Sequence, residues 1–183
     1  MSILALGLNH KTAPVEIREK VTFGPDIIAG ALRSLQENPA VKETVILSTC
    51  NRTEVYCILN EEDHEPLADW ISRFHGLPSD RVMPYLYSHF GLDAVKHLLR
   101  VSCGLDSLVL GEPQILGQVK AAYQTATDTG TTGKLLYKLF QHAFSAAKQI
   151  RTDTNIGNSP VSVAFAAVSL AKQIFSDLSE QTA

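Results

Sequence analysis

The sequence predicts an α+β fold: a ferredoxin-like βαββαβ antiparallel sheet with helices on one side, then a helical subdomain and the start of a long linker helix. Three observations lead there. Residues 1–90 switch between period-two and helical hydrophobic spacing in the order βαββαβ. From Leu92 onward the pattern turns helical. The final stretch, from Ser159, is a capped apolar helix near the end of the 183 residues.

Taken in order, Ser2 to Asn9 alternates with Leu4, Leu6 and Leu8 on one side, which predicts a strand. Gly24-Pro25-Asp26 opens a helix with Ile28, Ala31, Leu32 and Leu35 on one face. Thr44 to Leu47 is a short apolar run suited to a central strand. A further strand spans Thr53 to Leu59, with Val55, Cys57 and Leu59 on one face. Glu65 to Phe74 reads as a helix and Tyr85 to Ser88 as a short last strand. Leu92, Val95, Leu98 and Leu99 form one apolar arc. Gly111-Glu112-Pro113 then breaks the chain before a helix from about Gln114 to Thr127. Leu136, Leu139, Phe140, Ala143, Ala147 and Ile150 mark the next helix. Ser159-Pro160 caps the last, which carries Val161, Phe165, Val168, Ala171, Phe175 and Leu178. The expected division is one domain over 1–158, with an α/β sheet region over 1–90 and a helical region over 91–158, and a linker helix beginning at 159–183. An apolar helix left at a terminus suggests a fragment, or a helix that needs a partner.

Composition narrows the function. At 45% hydrophobic and 19% charged, the chain can build a good core and holds no tract biased toward disorder. A net charge of −3 does not describe a general polyanion binder, so any nucleic-acid contact must be local. Ser2 to Leu8 is too short for a signal sequence, and no run of ~18 apolar residues could span a membrane. The three cysteines, Cys50, Cys57 and Cys103, fit free thiols in a reducing cytoplasm, and no Cys/His spacing resembles a zinc site.

Cys50 lies between two expected strands in Ser48-Thr49-Cys50-Asn51-Arg52, where Asn51 suits a tight turn. Thiolates are strong nucleophiles, but most free cysteines are small buried hydrophobes, the reading that suits Cys57 and Cys103. Arg52, two residues on, shares a face with Cys50 in extended chain and could clamp a carboxylate with paired hydrogen bonds. Glu54 shares that face too and could equally tie Arg52 into a surface pair. His97 falls at the border of an apolar arc, either half-buried packing or a proton handler at a thiol site. His64, His75, His89 and His142 read as surface or loop positions. Gly104 to Lys120 sets Asp106, Ser107, Glu112, Gln114 and Gln118 into an apolar, glycine-punctuated run. Such polar groups either bond to the backbone or line a ligand pocket.

Several of these segments resemble the glutamyl-tRNA reductases of bacteria. The opening Ala5-Leu6-Gly7-Leu8-Asn9-His10-Lys11-Thr12-Ala13-Pro14-Val15 is similar to theirs, as are Leu47 to Glu54 and the whole Gly104 to Lys120 run. Gln149-Ile150-Arg151-Thr152-Asp153-Thr154 and Ser162-Val163-Ala164-Phe165-Ala166 continue the likeness in the same order.

The resemblance implies an oxidoreductase of tetrapyrrole (porphyrin) biosynthesis that is cytoplasmic and dimeric. A cysteine thiolate attacks the aminoacyl ester of glutamyl-tRNA(Glu), and NADPH reduces the resulting thioester to glutamate-1-semialdehyde, the first committed step of the five-carbon route. It implies Cys50 as nucleophile, Arg52 on the glutamyl carboxylate and His97 handling or orienting protons. Thr49, Asn51, Ser107, Glu112, Pro113, Gln114 and Gln118 fall in the substrate-contacting motifs. It implies further that NADPH-binding and dimerisation domains lie beyond these residues, that no metal is used, and that an aminomutase takes over the semialdehyde. On that reading the domain alone acylates and slowly hydrolyses its substrate without reducing it. Two other classes compete: a cysteine hydrolase or acyltransferase, and a non-catalytic RNA-binding or regulatory domain with Cys50 as packing. RNA-binding versions of such a sheet usually display stacking aromatics, and these strands hold only Tyr56, Tyr85 and Tyr87.

Overall fold

The computed structural model describes residues 1–60, 63–154 and 156, so the helix expected from Ser159 lies outside the described residues. In chain order the elements are β1 (Ser2–Asn9), α1 (Val15–Lys20), α2 (Ile28–Gln36), β2 (Val41–Ser48), β3 (Arg52–Leu59), α3 (Glu65–Phe74) and α4 (Ser79–Val82). A 3₁₀ turn at Met83–Tyr85 leads to β4 (Tyr87–Phe90), α5 (Gly91–Ser102), α6 (Gln114–Thr129) and α7 (Lys134–Asp153). Among the described residues no helix is long and apolar enough to cross a membrane.

The strands form one sheet in the order β2-β3-β1-β4, and every pairing is antiparallel. That is the ferredoxin-like arrangement the element order predicts. α3 shows why its boundaries were readable: Glu65 and a proline sit in its first turn, and Arg73 in its last, matching the helix dipole.

The helices do not stay on one side of the sheet. Ser48, paired with Thr53, takes the N–H of Phe23 on its Oγ at 2.9 Å. Phe23 stacks on Trp70 of α3, whose indole donates to Ser34 of α2 at 3.2 Å. The Thr53, Val55, Cys57, Leu59 face is thus covered by α2 and α3. On the opposite face Tyr56 meets Phe140 of α7 edge-on at 5.7 Å, and Glu54 meets His97 of α5. All eight residues of β3 are buried. Arg52 and Glu54, for which the sequence left a surface pair open, are buried with Tyr56 on this second face because these polar groups satisfy one another beneath α5 and α7.

β4 begins two residues later than expected. Leu86 N–H donates to the Met83 carbonyl, closing a turn around Pro84, which cannot donate to a sheet. The shift removes Tyr85 from the sheet and places Tyr87 opposite Gly7 and His89 opposite Ala5. His89 is therefore a half-buried strand residue rather than a surface one. α1 and α4 were not foreseen, being too short to show a hydrophobic period.

Candidate active site

The site grows from one row across the sheet: Leu47, Glu54, Gly7 and Tyr87 are successive register partners on β2, β3, β1 and β4. Gly7 leaves room where a side chain would stand. A Cβ there would lie 2.8 Å from Glu54 Cα and 2.9 Å from its Cγ. Because that space is open, Glu54 lies over β1, and Tyr87 reaches it from β4.

Glu54 is the hub. Its fully buried carboxylate accepts hydrogen bonds from Arg52 Nη1 at 2.7 Å and from the hydroxyls of Tyr56 and Tyr87. His97 Nε2 lies 2.9 Å from the same Oε1 that Arg52 and Tyr87 use. Burial alone would raise the Glu54 carboxyl; the Arg52 charge, the His97 hydrogen bond and charge, and the Tyr56 hydroxyl outweigh it and hold the group at about 2. Burial, followed by the Glu54 charge, pushes both tyrosines well above their ordinary range. His97 is buried, not half-buried: its position on the arc border turns it under α5 onto the carboxylate. Its ring lies 4.8 Å from that of His89, and burial, then His97, lowers His89.

Arg52 is 1% exposed, so its partnership with Glu54 is a buried pair and not the surface pair weighed above. Its Nη2 donates to the Asp106 carbonyl at 2.6 Å. This second bond brings in the segment after α5. Gly104 and Gly111 both take positive φ, 79° and 78°, and Gly111 N–H closes the loop on the Gly104 carbonyl at 2.9 Å. Asp106 fastens it through Arg100, which donates from Nε and Nη2 at 2.9 Å each, and through Lys11 at 3.5 Å. The Arg100 hydrogen bonds lower the Asp106 carboxyl against the opposing effect of burial.

Cys50 occupies the turn between β2 and β3. Thr49 shapes that turn: its hydroxyl accepts the N–H groups of Asn51 at 3.2 Å and Arg52 at 3.1 Å. Arg18 of α1 donates from Nη1 to the Cys50 carbonyl and to Asn51 Oδ1 at 3.2 Å. Cys50 is exposed while Cys57 and Cys103 are buried. Burial pushes the Cys57 thiol up to about 12, which leaves it inert as a nucleophile. Beside the hub lies a cavity of about 540 Å³ whose lining includes Asn9, Tyr87, His89, His97, Arg100 and Asp106.

The geometry thus joins Thr49, Cys50, Asn51 and Arg52 in one turn and ties His97 to Arg52 through Glu54. Ser107 follows Asp106 in the tethered loop, and its buried Oγ has no partner among the described residues. Glu112 and Pro113 lead into α6, where Gln114 and Gln118 are exposed. Among the described residues no hydrogen bond connects these four to Cys50, Arg52 or His97. Sequence reasoning missed Tyr87, Asn9, Arg18 and Arg100. The stripe Arg52, Glu54, Tyr56 was the available signal, three polar side chains two apart in a strand flanked by hydrophobic ones.

One test of this construction is Gly7→Ala. The added methyl collides with the Glu54 backbone and side chain, and overpacking of this kind costs about 1–3 kcal/mol. For a domain of this size the midpoint of thermal unfolding should fall by roughly 2–4 °C per kcal/mol. An unchanged midpoint would show that the sheet yields and that Gly7 does not make the space for Glu54.

Residues 6–154 match the family model described as "Glutamyl-tRNAGlu reductase, N-terminal domain". The chain is 59% identical over 183 residues to a glutamyl-tRNA reductase of Alkalilimnicola ehrlichii, covering all of this chain and 41% of that protein. It is 56% identical to one of Methylococcus capsulatus, again over its whole length and 44% of the relative. The solved structure of glutamyl-tRNA reductase from Methanopyrus kandleri superimposes with a TM-score of 0.75 at 35% identity, over 93% of this chain and 39% of that one. The chain therefore spans about two fifths of the length of the relatives it matches. With the family model covering most of its residues, the chain belongs to the glutamyl-tRNA reductase family, as its N-terminal domain.

Proposed function

We propose that this domain takes the glutamyl group from glutamyl-tRNA(Glu) onto Cys50. The observation that carries the reading is Cys50 itself: among the three thiols it is the exposed one, held in a turn that Arg18 clamps by its carbonyl. Its sulfur, as thiolate, attacks the ester carbonyl carbon. An S–C bond forms, the C–O bond to the ribose breaks, and the departing ribose oxygen takes a proton. His97 commits Nε2 to Glu54, leaving Nδ1 for proton handling at the cavity. Arg52 offers the glutamyl side-chain carboxylate the N–H groups that Glu54 and the Asp106 carbonyl do not occupy. With its charge already balanced by Glu54, it acts as a fixed fork more than a free cation. Thr49 and Asn51 hold the turn, and Ser107, Glu112, Pro113, Gln114 and Gln118 make the remaining contacts to the aminoacyl end.

Reduction of the thioester takes a hydride donor, NADPH in this reading. The described residues do not fit a dinucleotide: no two neighbouring strands of their sheet are parallel, and the sequence contains no G-x-G-x-x-G turn. In this reading they serve acyl capture and not hydride transfer. A cytoplasmic homodimer that hands its semialdehyde to an aminomutase belongs to the same proposal, and family membership is its support.

Mass spectrometry after acid quenching tests it. Incubation with glutamyl-tRNA and no reductant should leave a glutamyl adduct on the peptide containing Cys50. An adduct on Cys57 or Cys103, or none while the tRNA is still discharged, would overturn the assignment.

A further inference from the structure

Between α6 and α7 runs a groove of about 430 Å³, lined by Leu116, Lys120, Phe144, Lys148 and Arg151 among others, with no acidic residue in its lining. Lys120 Nζ lies 5.8 Å from the centroid of the Phe144 ring. Arg151 donates from Nη2 to the Glu112 carbonyl at 2.7 Å, and its buried Nε finds no acceptor among the described residues. Among those residues none of the three cations is in an ion pair, in contrast to Lys11, Arg52 and Arg100.

The charge on these helices is segregated. α6 and α7 together carry Lys120, Lys134, Lys138, Lys148 and Arg151 against Asp128 and Asp153, five cations to two carboxylates, in a chain whose net charge is −3. An ordinary solvated helix face mixes both signs. Here three of the five cations, Lys120, Lys148 and Arg151, line a concave surface with an aromatic ring in it and a guanidinium N–H without an acceptor among the described residues. That combination matches a nucleic-acid backbone, whose phosphates take the cations while a ring can stack a base. The groove is also coupled to the site: Arg151 holds the carbonyl of Glu112, at the end of the loop that Asp106 fastens over Arg52.

We propose that the α6–α7 groove binds the phosphate backbone of glutamyl-tRNA, a surface distinct from the cavity beside the Glu54 hub. The proposal rests on the acyl-capture reading above, which supplies the polyanion. It also reconciles a net acidic chain with a nucleic-acid substrate, since the contact is local.

The test uses the full-length protein with Lys120→Glu and Lys148→Glu combined, and Lys120→Arg with Lys148→Arg as the charge-keeping control. Arg151 is left intact because it also braces Glu112. For the reversed pair, KM for glutamyl-tRNA should rise about tenfold or more, and the slope of its logarithm against log salt should shrink by about 2. The turnover at saturation and the hydrolysis of 4-nitrophenyl acetate, which needs the thiol and no tRNA, should stay within about twofold. The arginine pair should behave as the parent. An unchanged KM and salt slope would overturn the proposal. So would a raised KM for NADPH with tRNA unaffected, which assigns the groove to the dinucleotide, or a parallel loss of aryl-ester hydrolysis, which reports damage at Cys50. Parent protein that hydrolyses the aryl ester yet never discharges glutamyl-tRNA would instead sink the acyl-capture reading, and with it the groove's ligand.

Discussion

On the proposed acyl-capture reading, Cys50→Ser should lower transfer of the glutamyl group by ~10⁴-fold or more while the protein stays folded. The size follows from what losing a nucleophile costs in enzymes that act through a covalent acyl intermediate. The hydroxyl matches the thiol in shape but ionises far too weakly to replace it. Because Cys50 is exposed and is held through its backbone carbonyl, the exchange should change stability by no more than ~0.5 kcal/mol. Cys57→Ser and Cys103→Ser invert the pattern. Both thiols are buried, so a hydroxyl at Cys103 should cost about 1–3 kcal/mol of stability and one at Cys57, which keeps Thr44 Oγ1 as a partner, less, with acyl transfer left in place. Single-turnover discharge of glutamyl-tRNA, set beside thermal unfolding of the three variants, separates the two outcomes. A Cys50→Ser protein that still discharges the substrate, with either of the others dead, would move the nucleophile elsewhere.

How much of this was legible in the sequence depended on whether the cue was local. β1 and α3 appear with the expected bounds because strand alternation, a proline at the helix start and the charges at its ends all act within a few residues. Cys50 was legible for the same reason: a polar turn between two apolar runs exposes whatever sits in it. The Glu54 network was not. Its four donors come from β3, β4 and α5, positions 52 to 97, and only the β2-β3-β1-β4 order with α5 packed on it brings them to one carboxylate. Polar residues alternating with apolar ones usually mark an exposed face, which is why a surface pair stood as an equal reading of Arg52 and Glu54. What reverses that inference is a cover of helices, α5 and α7, that comes about 40 and about 80 residues later, which a period-two count cannot register. Gly7 carried the hidden clue: a glycine in an otherwise continuous apolar strand marks a close approach.

Glu54→Gln should be the most destabilising single change in the site. The substitution keeps the shape and removes the charge, so Arg52 is left as a buried guanidinium with no counter-ion, 1% exposed. Breaking a buried pair from one side costs about 3–5 kcal/mol. The amide also replaces an acceptor oxygen by an NH₂ group among four hydrogen-bond donors, so one or more of Arg52, Tyr56, Tyr87 and His97 loses its acceptor. Tyr56→Phe removes one donor and leaves the carboxylate with three, so it should cost much less, about 1 kcal/mol. Acid unfolding reports on the same group. The Glu54 carboxyl falls from an ordinary 4.5 to about 2 on folding, so its contribution is complete above about 4.5 and is lost as the pH drops toward 2. That displacement corresponds to something on the order of 3 kcal/mol. Denaturant unfolding followed from about pH 6 down to the acid limit should therefore show a steep loss of stability below about 4.5 in the parent and a shallower one in Glu54→Gln. Parallel curves, or Tyr56→Phe matching Glu54→Gln in cost, would mean that the carboxylate is not what holds Arg52 and His97 in place.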